Sequence, residues 1–386
     1  MHSDGQIDEL NILRGIAVAF MVVNHFAYAL LSQEVLSITV INYLVDYTSF
    51  APVLFFFVTG LGAGLRYHFK GASGINKGLL DKIILLAIAD IIMRGVADSE
   101  FGWDFLGFIA ISMLVVGVVE SSRAPVRIAM LLLMFVIGIR FVINPLLLSG
   151  AGLGVQGAPL LEGVLGRNAI GGISYWFSPW LAYPLFGFII GSKYNVVKRY
   201  MFIQVNKLSI FFLFALPFLG LIAVDVFGAA FFRWGTVNST FFIASFMVLA
   251  LVWCMSNMAS MVSTSPKLQK SMGLRGVSSL AAVPVHYFLL DLLVDFAGSD
   301  WRIELWLLCV VLALVITFWV SKIVDRLAKE VQLTKLQIIL ALCLVILLPL
   351  VANTIFNSEL MSYSFKFVGL LGVCLLLNQK SKIFFR

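Results

Sequence analysis

The chain has 386 residues, of which 61% are hydrophobic and only 12% charged, and its formal net charge is +7. Soluble domains carry about a quarter charged residues, so a water-soluble fold with this much apolar surface is excluded and lipid is the solvent the sequence suits. Apolar runs of about 20 residues recur along the whole chain, each enough to cross a ~30 Å hydrocarbon core as a helix. In lipid every backbone polar group must be satisfied internally, and continuous runs point to helices rather than the alternating strands of an outer-membrane barrel.

In chain order, hydropathy predicts helices at roughly 11–31, 49–67, 79–97, 104–120, 126–148, 174–192, 208–228, 237–258, 276–296, 305–322, 336–356 and 363–379. The expectation is an all-α protein, a polytopic transmembrane helix bundle of about twelve helices. It forms a single transmembrane domain over 1–386, with a ten-helix core at about 8–330 and a C-terminal helix pair at about 336–379. Lys and Arg cluster in alternate loops, twenty against three, and the richer side is read as cytoplasmic. Both termini then lie in the cytoplasm and the acidic loop with Asp98, Glu100 and Asp104 lies outside. The excess positive charge is spent on orienting helices, and no nucleic-acid partner is expected. The first apolar segment lacks a basic start and carries charge, so no cleavable signal peptide is expected.

Cys254, Cys309, Cys343 and Cys374 each stand alone in an apolar run, without metal-ligand spacing, and are read as packing residues; no metal is expected. Gly152, Gly154 and Gly157, in the glycine-rich loop 149–173, fit a dinucleotide-binding pattern but lack the strand and helix that pattern needs. A flexible loop beside an acceptor site is the better reading.

Ionisable groups inside a bilayer cost several kcal/mol and are functional candidates by default. The first helix holds Arg14 near its cytoplasmic end and His25 more than halfway across. Eleven residues is close to three full turns, so both share one face, ~16 Å apart along the axis. A guanidinium binds phosphate bidentately, and a neutral imidazole takes a proton from a hydroxyl near pH 7. The pair suits a substrate anionic at one end and reactive at the other. The plainer readings are an interfacial anchor for Arg14 and an interhelical hydrogen bond for His25.

Asp90 and Arg94, at i and i+4, are expected to pair with each other, with a cavity-lining role as the alternative, and Arg140 needs a partner the sequence does not identify. Arg66, His68 and Lys70 sit at the cytoplasmic boundary as a topology anchor. Arg66 and His68 are also candidates to draw phosphate toward a coenzyme entrance. Asp291 and Asp295 follow His286 toward the outer end of the ninth helix, where Asp291 either orients a sugar hydroxyl or simply caps a solvated end.

The segment Leu10-Asn-Ile-Leu-Arg14-Gly15 with Asn24-His25-Phe26 resembles the opening of the acyltransferase family 3 superfamily, whose hallmark is Arg, ten residues, then His. The stretch Ala51-Pro52-Val-Leu-Phe55-Phe56-Phe57-Val-Thr-Gly60 resembles its second helix. Asp46 before that stretch, and Pro179-Trp180 to Gly187 and Gly191, are similar to the heparan-glucosaminide N-acetyltransferase branch. The helix from Gly276 through Ser278, Ser279 and His286 resembles a late family helix, with Leu280 and Val283 where tyrosines are usual and Pro284 added.

The resemblance implies a membrane acyltransferase that moves an acyl group, most commonly acetyl, from cytoplasmic acyl-CoA to an extracytoplasmic sugar or glycolipid in the cytoplasmic (inner) membrane. It implies Arg14 as the contact to acyl-CoA, His25 as catalytic base and His286 as a residue of the same cavity, with Asn24 and Asp46 joining His286 and Asp291 as substrate-binding candidates. Pro284 frees a carbonyl one turn back, which His286 or a water is expected to satisfy. A proton-coupled secondary transporter with His25, His286 and Asp291 as a relay is the alternative. A non-catalytic scaffold is a third reading and leaves the Arg14–His25 geometry unexplained.

Overall fold

The structure is a computed structural model, and it describes residues 8–72, 74–94, 103–143, 175, 177–195, 239–262, 273–297, 301–331, 333–334, 337–338, 340–341, 343–345, 347 and 359–377. Among these the regular structure is helical and no strand forms. The helices are α1 (Asp8–Leu30), α2 (Gln33–Leu36), α3 (Thr39–Thr48), α4 (Ala51–Lys70), α5 (Lys77–Arg94), α6 (Phe105–Glu120), α7 (Pro125–Gly138, continued by a π turn at Ile139–Ile143), α8 (Phe177–Trp180), α9 (Ala182–Ser192), α10 (Ser239–Val262), α11 (Gly276–Ala297), α12 (Ile303–Glu330) and α13 (Glu359–Leu377). Among the described residues four stretches are long and apolar enough to cross a bilayer: Leu10–Leu30, Val40–Lys70, Ser278–Asp295 and Ile303–Glu330. The outer face of α12, with Leu308, Val311, Val315 and Trp319, is exposed. Such a face is stable only against hydrocarbon, and the chain is a membrane protein.

Three boundaries differ from the hydropathy reading. The stretch before α4 is helical as α3, too short to register as a span; it is fixed by packing, because Ile41 and Val45 are buried and the Asn24 amide of α1 donates to the Val45 carbonyl at 2.9 Å. The helix expected at 174–192 is broken, since Ser178 precedes a proline and is extended (φ −104°, ψ 124°). The Ser178 hydroxyl turns instead to the Val136 carbonyl of α7 at 2.8 Å. The helix expected to end at 322 runs on to Glu330 as α12, because charge ends a membrane span and not a helix; Lys329 pairs there with Asp325 one turn back. The helix expected at 208–228 and the glycine loop 149–173 lie outside the described residues.

Two compact units form. One holds α1 to α3, most of α10, and α11 to α13; the other holds α4 from Phe55, α5 to α9, and the start of α10. In the first unit α1 and α11 run parallel. The Leu274 N–H, just before α11, donates to the Asn11 carbonyl at 3.0 Å, and beyond the far end of α11 the Trp301 N–H donates to the Leu30 carbonyl at 2.8 Å. Between α11, α12 and α13 lies a buried cluster of Ala281, Val324 and Cys374, with Leu280 and Val320 packed on it.

In the second unit α4 and α9 meet through two glycine pairs of matching spacing, Gly60 with Gly64 and Gly187 with Gly191. A Cβ on Gly60 would lie 1.8 Å from the Pro184 carbonyl oxygen, and one on Gly187 would lie 2.2 Å from that of Phe57. Small residues four apart let backbones approach closely, which is what helix association in lipid rewards. Around the crossing Phe56 packs its ring against Phe105, Phe108, Tyr175 and Trp180. The first turn of α6 is fastened by a buried carboxylate from α5. Asp90 accepts from the Gly107 N–H at 2.8 Å and from the Asp104 N–H at 3.0 Å. This anion at a helix N-terminus satisfies two otherwise orphaned donors. The expected Asp90–Arg94 pairing falls on an Arg94 side chain outside the described residues.

Gly60→Ala and Gly187→Ala should each destabilise the protein by ~1–3 kcal/mol through overpacking, read as a lower melting temperature in detergent. Gly138→Ala, where an added Cβ meets nothing within 4 Å, should leave it unchanged. Equal melting temperatures across the three variants would contradict the crossing.

Candidate functional site

Arg14 and His25 both stand on α1, which is unbroken across them, so the three-turn separation of ~16 Å holds. Arg14 is half-buried, and its Nη1 donates to the Asn11 side-chain oxygen at 3.1 Å. No carboxylate among the described residues lies within ion-pair distance of it. A guanidinium beside only a neutral amide keeps most of its fork for an incoming anion.

His25 faces α11. Its Nδ1 lies 2.9 Å from the Nε2 of His286, and the His286 Nδ1 lies 3.0 Å from the Ala282 carbonyl oxygen. A carbonyl only accepts, so His286 carries its proton on Nδ1. The Nε2 of a neutral His286 is then an acceptor, and His25 must donate to it from its own Nδ1. The proton positions along this chain are fixed from its far end, and the lone pair of a neutral His25 stands on Nε2. His286 is fully buried while His25 is partly accessible. Tyr287 closes over both rings, with centroids 5.1 Å from His25 and 4.2 Å from His286. His286 therefore uses the carbonyl four residues back on α11, that of Ala282, and not the Leu280 carbonyl whose helical partner Pro284 removes.

The remaining sequence candidates are distributed unevenly. Asn24, next to His25, is buried and spends its amide N–H on Val45. Asp46 on α3 is 7% exposed, and its backbone carbonyl accepts from the Ser49 hydroxyl at 2.5 Å. Asp291 lies five residues beyond His286 on α11 and is half-buried. Arg66 and His68 belong to the second unit. There the Arg66 Nη2 pairs at 2.5 Å with Glu120, which is fully buried, and the His68 Nδ1 donates to the Ser192 carbonyl at 3.3 Å. Sequence reading missed Glu120 and Tyr287. The signal for Glu120 was a carboxylate closing an apolar run at the same membrane boundary as Arg66. The signal for Tyr287 was an aromatic directly after His286. Among the described residues no group of three His, Cys, Asp or Glu side chains is placed to hold a metal ion.

One apolar helix thus carries a guanidinium bonded to a neutral amide at one level and an imidazole with a defined lone pair at another. The chain matches, over residues 6–210, the family model described as heparan-alpha-glucosaminide N-acetyltransferase, catalytic. That is more than half of its length, and the chain belongs to this family of acetyltransferases. Comparison with curated proteins and with solved structures gave no match. The family match covers α1 to α9 and stops before α11, so His286 and Tyr287 lie beyond it.

With isotope-labelled histidine in a lipid nanodisc at neutral pH, nitrogen NMR should show protonated Nδ1 and bare Nε2 on both His25 and His286. His286→Phe should return His25 to a mixture of tautomers. A protonated Nε2 on wild-type His25 would overturn the assignment.

Proposed function

We propose that this protein transfers an acetyl group from acetyl-CoA to an amine or hydroxyl of an extracytoplasmic sugar or glycolipid. The cytoplasmic membrane is its place, with both termini in the cytoplasm. The observation that carries the reading is the hydrogen-bond chain from His25 through His286 to the Ala282 carbonyl, because it leaves the His25 Nε2 as a base with one defined direction.

Arg14 takes the phosphate end of the donor by charge and fork geometry, and the thioester reaches toward His25, three turns along the same helix. The His25 Nε2 removes a proton from the acceptor as the acceptor's nitrogen or oxygen attacks the thioester carbonyl. The new carbon–nitrogen or carbon–oxygen bond forms, the carbon–sulfur bond breaks, and the thiolate of CoA takes the proton back from His25. While His25 is cationic, its Nδ1–H bond to His286 strengthens, which stabilises the charge away from water. The family's name favours an amine as acceptor.

A purified protein in nanodiscs, given acetyl-CoA and a panel of amino sugars, tests this directly. His25→Ala should lower transfer ~10²–10⁴-fold, the usual contribution of a general base, with folding and insertion intact. Arg14→Leu should raise the KM for acetyl-CoA with the smaller effect on kcat. Wild-type rates in His25→Ala would sink the mechanism. Solute uptake into proteoliposomes driven by a pH gradient without acetyl-CoA would favour the transporter instead.

A further inference from the structure

When His25 takes a proton it becomes a cation among apolar helices, and a cation there needs something to lower its energy. Its hydrogen-bond partner, His286, is a neutral ring. Among the described residues no carboxylate lies within ion-pair distance of His25. A carboxylate at that position would favour the imidazolium before any substrate arrived, and a ring already protonated takes no proton. The need is for a group that answers the charge only once it has formed.

Tyr287 is such a group. It follows His286 on α11, and successive side chains on a helix diverge by about 100°, so the two rings reach α1 side by side. The His25 ring lies against both, with centroids 5.1 Å from His286 and 5.1 Å from Tyr287, while Tyr287 lies 4.2 Å from His286. All three pairs are tilted, at 33°, 39° and 42°. A cation within about 6 Å of an aromatic centroid is drawn to the negative face of the ring. The two backbone bonds that tie α1 to the ends of α11 hold this approach, and Tyr287 is half-buried, which limits screening by water. An aromatic face attracts an imidazolium and is nearly indifferent to a neutral imidazole. It therefore favours the state after proton removal over the state before it, and only such a difference speeds a chemical step. Because the ring touches both histidines, the charge stays beside it wherever the proton sits between them.

We propose that Tyr287 is a positioning residue of the acetyl transfer, whose ring face holds the His25 imidazolium while the acceptor attacks. This rests on the base reading above. A packing role would need only the volume of the ring, and a substrate contact would need its hydroxyl; this role needs the electrons of its face. Tyr287 lies outside the part of the chain that matches the family model.

The test uses full-length protein in nanodiscs with acetyl-CoA and a panel of amino sugars headed by glucosamine. Tyr287→Leu should lower kcat about tenfold, within the range of a desolvated cation–π contact, with KM for acetyl-CoA unchanged. Tyr287→Phe, which keeps the face, should restore most of that loss. Phenylalanines carrying one, two and three fluorines, placed at position 287 by nonsense suppression, keep the ring's volume and drain its face of negative charge. Along that series kcat should fall stepwise toward the level of Tyr287→Leu. In a His25→Ala background, where no imidazolium forms, the series should leave the residual rate unchanged. Equal kcat across the fluorinated series, or a loss in Tyr287→Phe as large as in Tyr287→Leu, would overturn the inference and leave the base reading standing. If His25→Ala alone transfers at the wild-type rate, or wild-type protein transfers to none of the sugars, the base reading has failed and this one falls with it.

Discussion

Everything in this protein is organised by one constraint: a polar atom in hydrocarbon has no water to turn to, so its partner must come from the chain or from a ligand. The backbone meets it by being helical. Most side chains meet it by borrowing backbone. Asn24 gives its amide to Val45, Asp90 takes two N–H groups at the start of α6, and the Ser178 hydroxyl goes to Val136 across a helix that proline has broken. Each bond also fixes where two elements meet, so satisfying the polar groups and assembling the fold are largely the same act. In lipid, where apolar side chains gain little by leaving the solvent, such bonds and close packing carry the specificity.

Against that background the groups not fully spent stand out. Among the described residues Arg14 has a neutral amide as its partner, whereas Arg66 has the carboxylate of Glu120. His25 is tied, among the described residues, at one nitrogen, its Nδ1. The buried Thr317 and Ser321 hydroxyls have no hydrogen-bond partner among the described residues, whereas those of Thr48, Thr59, Ser121 and Ser192 each donate to the carbonyl four residues back. All four residues belong to the first unit, on α1 and α12. In the second unit the glycine crossing and the ring cluster about Phe56 are packing, and its guanidinium Arg66 is paired with the buried Glu120.

Hydropathy alone located most of the helices, because a run of about 20 apolar residues has few other readings. It failed where tertiary contacts or proline decide. α3 has ten residues and is held by α1, and the break at Ser178 needed Pro179 to be weighed as an interruption rather than as one apolar residue among many. Arg14 and His25 were legible because both sit on one regular helix, where spacing alone gives the shared face. Gly60, Gly64, Gly187 and Gly191 were visible in sequence, but their role depends on which helices touch, and no local pattern states that. The same is true of Glu120, whose importance is that Arg66 is opposite.

The state of His25 is the sharpest case. An isolated neutral imidazole can carry its proton on either nitrogen, and neither α1 nor the family-matched segment favours one. The choice is made 261 residues away, by a histidine that is itself oriented by a carbonyl of its own helix. That carbonyl is near because α11 runs parallel to α1, and the parallel run is fixed by two backbone bonds at its ends, Leu274 to Asn11 and Trp301 to Leu30. A base with a defined lone pair is thus a property of the pairing of two helices rather than of either one. The segment carrying the most recognisable residues would present an imidazole of indefinite tautomer without the late helix that binds it.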